Sequence, residues 1–415
     1  MKTIDLIVIG GGSAGMAAAI QAKKEGVNDI LILEKDDTLG GILNQCIHNG
    51  FGLTEFKEEL TGPEYLNRFV VQVKELGIPY LLNTMVIDIT KDKVVTYTSR
   101  QTGVTKVQAK AIIMATGCYE RGAGAIQIPG DRCAGIMTAG TAQKYLNIHG
   151  YLVGKRIVIL GSGDIGLIMA RRLTLEGAKV ICVSEIMPYS NGLNRNIAQC
   201  LNDYNIPLYL SRSVSKVIGK DRLEKVVLSA VDEKIQFIPG TEMEIECDTL
   251  ILSVGLIPYI SLLNYIDCPT STTKGAVVNE HMETKIDGIF SCGNCLHVHD
   301  VVDFVTDEGR LAGHGAAEYL QGLLPKGNNI RVVPGNGIGY VVPQEISQEN
   351  KEDVTFKFRV RRPVKDVNLI IESNGEVIAK MPKPVLIPSE MVMVKLKEDK
   401  LSLMKGEVLL RLEER

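Results

Sequence analysis

"IDLIVIGGGSAG", residues 4–15, decides how this chain folds. Its first half is an unbroken apolar run, the pattern of a parallel strand covered on both faces. Its second half spaces glycines as Gly10-x-Gly12-x-x-Gly15. "MAAAIQAKKEG" then reads as a helix closing at Gly26, and "DILILE" (29–34) as a second strand ending on Glu34. Strand, glycine turn, helix and acid-tipped strand together make a dinucleotide-binding unit. Gly10 makes the tight turn, Gly12 lets backbone approach a pyrophosphate, and Gly15 lets helix and strand pack closely. The helix N-terminus supplies N–H donors and the positive dipole end, and Glu34 is placed to accept from ribose hydroxyls.

The unit occurs twice. "KRIVILG" (155–161) is a strand, "GSGDIG" spaces Gly161-x-Gly163-x-x-Gly166, and "KVICVSE" (179–185) ends on Glu185. Glu34 follows Gly10 and Glu185 follows Gly161 at the same 24-residue spacing. One such glycine pattern is weak evidence, whereas two in matched context imply two bound dinucleotides. Glu185 would repel a 2′-phosphate, and no Lys or Arg follows it until Arg195, so the second unit favours NAD over NADP. No GxxxxGK[ST] occurs, which excludes a P-loop.

The bulk numbers agree with an enzyme of this size. At 415 residues, two or three domains are expected. A net charge of −3 gives no electrostatic reason to expect a nucleic-acid partner. No apolar run reaches the length of a transmembrane helix, and the N-terminal apolar run leads straight into a glycine turn, unlike a signal peptide. Nine cysteines without framework spacing point to reduced thiols and a cytoplasmic location.

With both glycine units in place, the chain resembles the FAD- and NAD(P)-dependent pyridine nucleotide–disulfide oxidoreductases over about residues 1–328. "AIIMATG" (111–117) and "DTLILSVGLIP" (248–258) look like the two links between that family's FAD and NAD domains, and "KIDGIFSCGN" (285–294) resembles its closing FAD motif. The fold this implies is α/β, with two Rossmann-like domains, the NAD domain being inserted into a discontinuous FAD domain. The expected boundaries are 1–119 and 256–328 for FAD and 120–255 for NAD. Residues 329–415, where "VTFKFRVRR" alternates and Asn374-Gly375 marks a hairpin, form a small antiparallel β domain for which no chemistry is expected.

The resemblance also implies site residues. FAD would lie on Gly10, Gly12, Ser13, Ala14, Gly15, Glu34, Lys35, Gly41, Ala115, Thr116, Gly117, Gly293 and Asn294. NAD would lie on Gly161, Gly163, Asp164, Ile165, Gly166 and Glu185, with Gly255 in the second link as a further cofactor position. Asn294 replaces the family's acid, so it can accept a hydrogen bond but brings no charge. "GGILNQCIHNGFG" (40–52), "ATGCYERG", "GIMTAGTAQ" (135–143) and the stretch after Gly293 are similar to a narrower group. That group comprises flavoprotein subunits of multi-component dehydrogenases: opine, sarcosine and cyanide-synthase flavoproteins, and an oxidoreductase that accompanies glycerol-3-phosphate dehydrogenase.

The catalytic candidates come from two stretches. Disulfide reductases carry a CxxxxC pair near residues 41–46; here Gly41 stands at the first place and only Cys46 remains, with His48 beside it. Disulfide reduction is therefore not expected, and Cys46 is left between a redox role and packing. "SCGNCLHVHD" (291–300) could suggest a metal or a redox pair, but no second CxxC or HxxxH completes a ligand set. No metal is expected, and Cys292 and Cys295 read as small residues beside FAD. His297 and His299 precede a helix over 301–320, with Asp300 or Asp303 as N-cap, and are taken as catalytic candidates at the flavin edge.

The expected function is hydride exchange between NAD(H) and FAD, with electrons passed to or from a partner dehydrogenase or small redox protein. Self-association into a homo-oligomer is compatible with the sequence. The rivals are a stand-alone NADH oxidase or peroxidase using Cys46, and a flavin-binding scaffold without catalysis.

Overall fold

The computed structural model describes residues 1–325, 327 and 329–415. These divide into two compact units, Met1–Cys118 with Pro258–Arg415, and Tyr119–Ile257.

The first unit is built on the strand that the opening stretch predicts. Thr3–Ile9 pairs in parallel with Ile30–Leu33 on one side and Gly103–Met114 on the other. Strand Gly103–Met114 has two characters, both visible in its sequence. "GVTKVQ" alternates and pairs antiparallel with Val94–Ser99, while "AIIM" is continuous, fully buried, and also pairs in parallel with Ile289–Ser291. The parallel layer ends at Tyr80–Leu81, which pairs with Ile30–Leu33.

Two helices cover this sheet, Ser13–Lys24 and Val302–Gln321, and small residues let them approach closely. A Cβ on Gly309 would stand 2.4 Å from the Ala14 carbonyl oxygen, and one on Gly313 would stand 2.2 Å from that of Ala18. The alanines of "SAGMAAAIQA" offer a flat face, and Gly309, Ala312, Gly313 and Ala316 are buried against the core. The second helix starts at Val302 behind Val301, so neither Asp300 nor Asp303 caps it, contrary to the sequence reading. Asp300 instead accepts from Arg359 and from the Met391 N–H.

Residues 329–415 carry their own hydrophobic cluster, with Phe356 and Phe358 at its centre. One sheet runs in the order Glu345–Ser347, Asn329–Pro334, Val408–Glu414, Val364–Ser373, Glu376–Leu386; the other joins Ile338–Val342, Val354–Val360 and Val392–Leu396. Asn374 and Gly375 both take positive φ, as a two-residue hairpin requires. The antiparallel expectation fails at one seam, where the module's first and last strands, Asn329–Pro334 and Val408–Glu414, pair in parallel. A second departure has chemical consequences. The residues between the aromatics of Val354–Val360 do not face water: Lys357 is 7% exposed and Arg359 is half-buried.

The second unit repeats the same plan. Its five-stranded parallel sheet runs Ile136–Thr138, Thr249–Leu252, Arg156–Leu160, Lys179–Ser184, Leu208–Tyr209, flanked by an antiparallel sheet of Arg212–Gly219, Leu223–Ala230 and Met243–Glu246. Among the described residues, no helix is long and apolar enough to cross a membrane.

The close approach of the two covering helices gives a first prediction. Gly313→Val places branched carbons where only 2.2 Å is available, and should destabilise by about 1–3 kcal/mol. Asp307→Ala, on the exposed face of the same helix, removes only a surface ion pair to Arg310 and should be nearly silent. The urea midpoint, with slope unchanged, is the measurement.

Candidate functional site

The two glycine turns share one hydrogen-bond frame. Gly10 N–H donates to the Leu33 carbonyl, and Gly161 N–H to that of Ser184. Glu34 accepts from Gly11 N (2.7 Å) and Asp36 N (2.9 Å); Glu185 accepts from Ser162 N (2.9 Å) and Met187 N (3.0 Å). Each acid is thus held at the end of its strand, against the turn that it serves. Gly10 and Gly161 both take positive φ, and a Cβ on either would collide with backbone, Ala115 O in the first unit and Ser253 O in the second. Ser162 Oγ adds a bond to Glu185 (2.6 Å) that Gly11 cannot make to Glu34.

Each turn fits a dinucleotide. Helices Ser13–Lys24 and Asp164–Leu175 begin at Gly12 and Gly163 with no side-chain cap, and Val302–Gln321 is likewise uncapped. Helix Gly62–Glu75, at no predicted site, has a full capping box between Thr61 and Glu64. The contrast matters because uncapped N–H groups are satisfied by a ligand or by water. A Cβ on Gly12 or Gly117 would meet nothing within 4 Å, and one on Gly41 only Gly12 Cα, so these three glycines border open space. Ser13, Ala14 and Gly15 form the first helical turn, and Ala115 and Thr116 follow the adjacent strand, Thr116 Oγ1 donating to Tyr259 O (2.6 Å). Gly293 lies against Ala14, where a Cβ would be 2.8 Å from the alanine methyl.

Five predicted positions behave otherwise. Lys35 is exposed and pairs with Asp36. Asp164 turns its carboxylate to Leu193 N (2.8 Å) and Asn196 Nδ2 (2.6 Å), bracing the loop behind it. Ile165 packs on its unit's core, and Gly255 takes positive φ at the second link. Asn294 Oδ1 accepts from His299 N (3.1 Å) and lies 3.3 Å from His299 Nδ1, which leaves the amide N–H groups as its uncommitted side.

His297 and His299 are not exposed acid–base groups. Both are buried, and with Lys357 they surround one carboxylate that the sequence reading missed, Glu308. Glu308 Oε1 accepts from Gly293 N (2.8 Å). Oε2 receives His297 Nε2 (2.8 Å) and Lys357 Nζ (2.6 Å), with His299 Nε2 at 3.4 Å. Burial alone would push the Glu308 carboxyl up, but Lys357, His297 and His299 outweigh it and hold it well below the usual range. Burial pulls His299 down to about 4, so it is neutral at pH 7. This corrects two expectations. The histidines position the Gly293 turn through Glu308, and the C-terminal module is not without chemistry, since it supplies Lys357. The signal was an acid set against a small-residue stripe, "EGRLAG", together with a lysine inside an aromatic strand.

The cysteines are packed thiols. Cys292 and Cys295 are fully buried, and Cys295 Sγ donates to Met114 O (3.1 Å). Cys46 Sγ donates to Ile42 O (3.3 Å), and burial pushes the thiol up to about 12. That argues against Cys46 as a standing nucleophile, because the thiolate is the reactive form. His48, near it in sequence, packs its ring at a tilt against Phe51, centroids 4.9 Å apart.

Residues 4–337 match the family model described as pyridine nucleotide-disulphide oxidoreductase. An NADH oxidase of Methanocaldococcus jannaschii is 27% identical over 345 residues, covering 78% of this chain and 69% of that protein. An opine oxidase subunit of Agrobacterium tumefaciens is 27% identical over 285 residues, 64% of this chain and 54% of that protein. The crystal structure of T. acidophilum thioredoxin reductase superimposes with a TM-score of 0.62 at 21% identity, covering 77% of this chain and 99% of that one.

The buried cluster can be tested through stability. Lys357→Met leaves Glu308 under-compensated and should cost about 3–5 kcal/mol; adding Glu308→Gln should recover part of that loss. The folded state resists protonation at both Glu308 and His299, so the unfolded chain takes up those protons first. Stability present at neutral pH should therefore be lost on acidification, for His299 from about pH 6.5 down to about 4. Urea midpoints measured across that range should fall in the wild type, and fall less in His299→Gln.

Proposed function

This chain belongs to the pyridine nucleotide-disulphide oxidoreductase family, and we propose that it exchanges hydride between NAD(H) and FAD and hands the electrons to a separate redox partner. The observation that carries the reading is the flavin-side segment. Gly41 stands where a disulfide reductase carries its first cysteine, and the remaining Cys46 is a protonated thiol bonded to Ile42 O. Electrons have no dithiol on this segment to pass through, so they leave to something outside the chain.

FAD, when bound, supplies the hydride acceptor and the ability to release electrons singly or in pairs. The chain's residues bind and orient it. The N–H groups at the start of helix Ser13–Lys24 hold pyrophosphate, with Gly12 admitting close approach, and Glu34 accepts from ribose hydroxyls. The uncapped start of helix Val302–Gln321 presents a positive dipole end, which favours negative charge beside it. Glu308 pins the Gly293 turn while the Lys357 ammonium offsets its charge and His297 hydrogen-bonds it, so the turn is held without a net anion beneath it. In the second unit the start of helix Asp164–Leu175 serves the nicotinamide dinucleotide, and Glu185 disfavours a 2′-phosphate. The likeness to part of an opine oxidase supports a multi-component assembly with a dehydrogenase.

Purified protein should be yellow, with FAD as the extracted flavin. Mixed anaerobically with NADH it should bleach, and NADPH should be markedly slower. Cys46→Ser should keep the bleaching rate within about tenfold, or ~1.4 kcal/mol of barrier. Reoxidation by peroxide should be slow without a partner. Fast peroxide reoxidation that disappears in Cys46→Ser would establish the peroxidase reading instead, and no bleaching at all would leave a flavin-binding scaffold.

A further inference from the structure

At the far end of helix Val302–Gln321 a second polar cluster is assembled from three separate parts of the chain. His314 and Glu318 lie one turn apart on the helix, His281 comes from the segment before strand Ile289–Ser291, and Glu352 precedes strand Val354–Val360. Glu318 Oε2 is 3.2 Å from His281 Nδ1 and 3.6 Å from His314 Nε2, and Glu352 Oε2 is 3.9 Å from His314 Nε2. We propose that His314, Glu318 and Glu352 form a binding site for one divalent transition-metal ion, with zinc the best match, a water as fourth ligand and His281 beside Glu318.

The spacing is the first argument. Four N/O ligands at the usual zinc distances of about 2.0–2.2 Å stand about 3.3–3.6 Å apart along the edges of a tetrahedron. The ligand atoms of His314, Glu318 and Glu352 all lie within 4.8 Å of one another, with His314 Nε2 at 3.6 Å from Glu318 Oε2 and 3.9 Å from Glu352 Oε2, so small side-chain shifts bring them to that edge. These distances are also not explained by bonds among the ligands themselves. Glu318 Oε2 is buried and makes no hydrogen bond although His281 Nδ1 is within reach at 3.2 Å.

The second argument is what lies behind each imidazole. His314 Nδ1 meets both oxygens of Glu25, at 3.0 and 2.9 Å. A proton there leaves the Nε2 lone pair facing Glu318 and Glu352, as in carboxylate–histidine–metal triads. His281 Nε2 has Glu280 Oε1 behind it at 3.6 Å.

Charge is the third. Among the described residues, every ion pair of Glu25, Glu280, Glu318 and Glu352 is to a histidine, so no lysine or arginine offsets four gathered carboxylates. The His297–His299–Glu308 triad differs on this point, because the Lys357 ammonium already sits on the Glu308 oxygen that a metal would take. Access is available from the Glu352 side, where that side chain is 61% exposed. The sequence signal was His314-x3-Glu318, a one-turn ligand pair that a search for CxxC and HxxxH passes over.

The test uses tag-free, flavin-loaded protein stripped with a chelator and titrated with Zn2+ alone. Metal analysis after gel filtration should give one zinc per chain, and zinc K-edge absorption should show only N/O neighbours, at about 2.0–2.2 Å. His314→Ala and Glu318→Gln should abolish stoichiometric binding, and Glu25→Gln should weaken it by about 10–100-fold. Glu352→Gln changes an exposed residue that the fold tolerates, and should weaken binding by at least about tenfold with flavin content unchanged. Failure of the stripped protein to take up zinc would overturn the proposal. So would uptake of one zinc that is indifferent to Glu352→Gln and Glu318→Gln, or sulfur in the first coordination shell.

Discussion

A single buried carboxylate ties the first unit together. Glu308 joins the Gly293 N–H, two histidines that follow it in sequence, and a lysine from a strand 49 residues further on. A carboxylate taken this far from water is tolerated only when its lone pairs are filled and its charge is met, and here both conditions hold. The arrangement couples three things that would otherwise be independent. These are the turn that closes the parallel sheet, the start of the helix that lies over it, and the C-terminal module. The module brings a core of its own, yet on the other face of its aromatic strand Lys357 is also buried, where it reaches Glu308.

The two glycine turns show how far one local solution can be reused. Tight turn, uncapped helix start and strand-end acid recur with matching backbone bonds, down to the N–H two residues past each acid. The copies diverge at small side chains. Ser162 reinforces its acid where Gly11 cannot, and Asp164 braces a neighbouring loop where Ser13 makes no such bond. Such differences leave the backbone of the turn alone and alter only what surrounds it.

Helix Val302–Gln321 has a division of labour along its length. Its glycine and alanine stripe meets the helix of the first glycine turn, its early part carries Glu308, and its late part carries His314 and Glu318. The stripe permits an approach so close that polar side chains can only leave the helix on its other faces. There they collect partners from loops and from the C-terminal module.

The sequence alone determined the local units. Strand, turn, helix and acid are all short-range features, so periodicity and glycine spacing reveal them, and the replacement of a first flavin-side cysteine by Gly41 is equally plain. Tertiary structure decided everything that depends on partners distant in the chain. No spacing rule links Glu308 to Lys357, or His314 to Glu352, because each pair meets only after strands have paired and helices have packed. The same limit explains the misjudged residues. His297 and His299 look like catalytic candidates at a flavin edge until a buried carboxylate claims them, and Cys46 stays between redox role and packing until burial and the Ile42 carbonyl favour packing. A side chain's chemistry depends on its surroundings in three dimensions, and those surroundings are what a linear pattern leaves out.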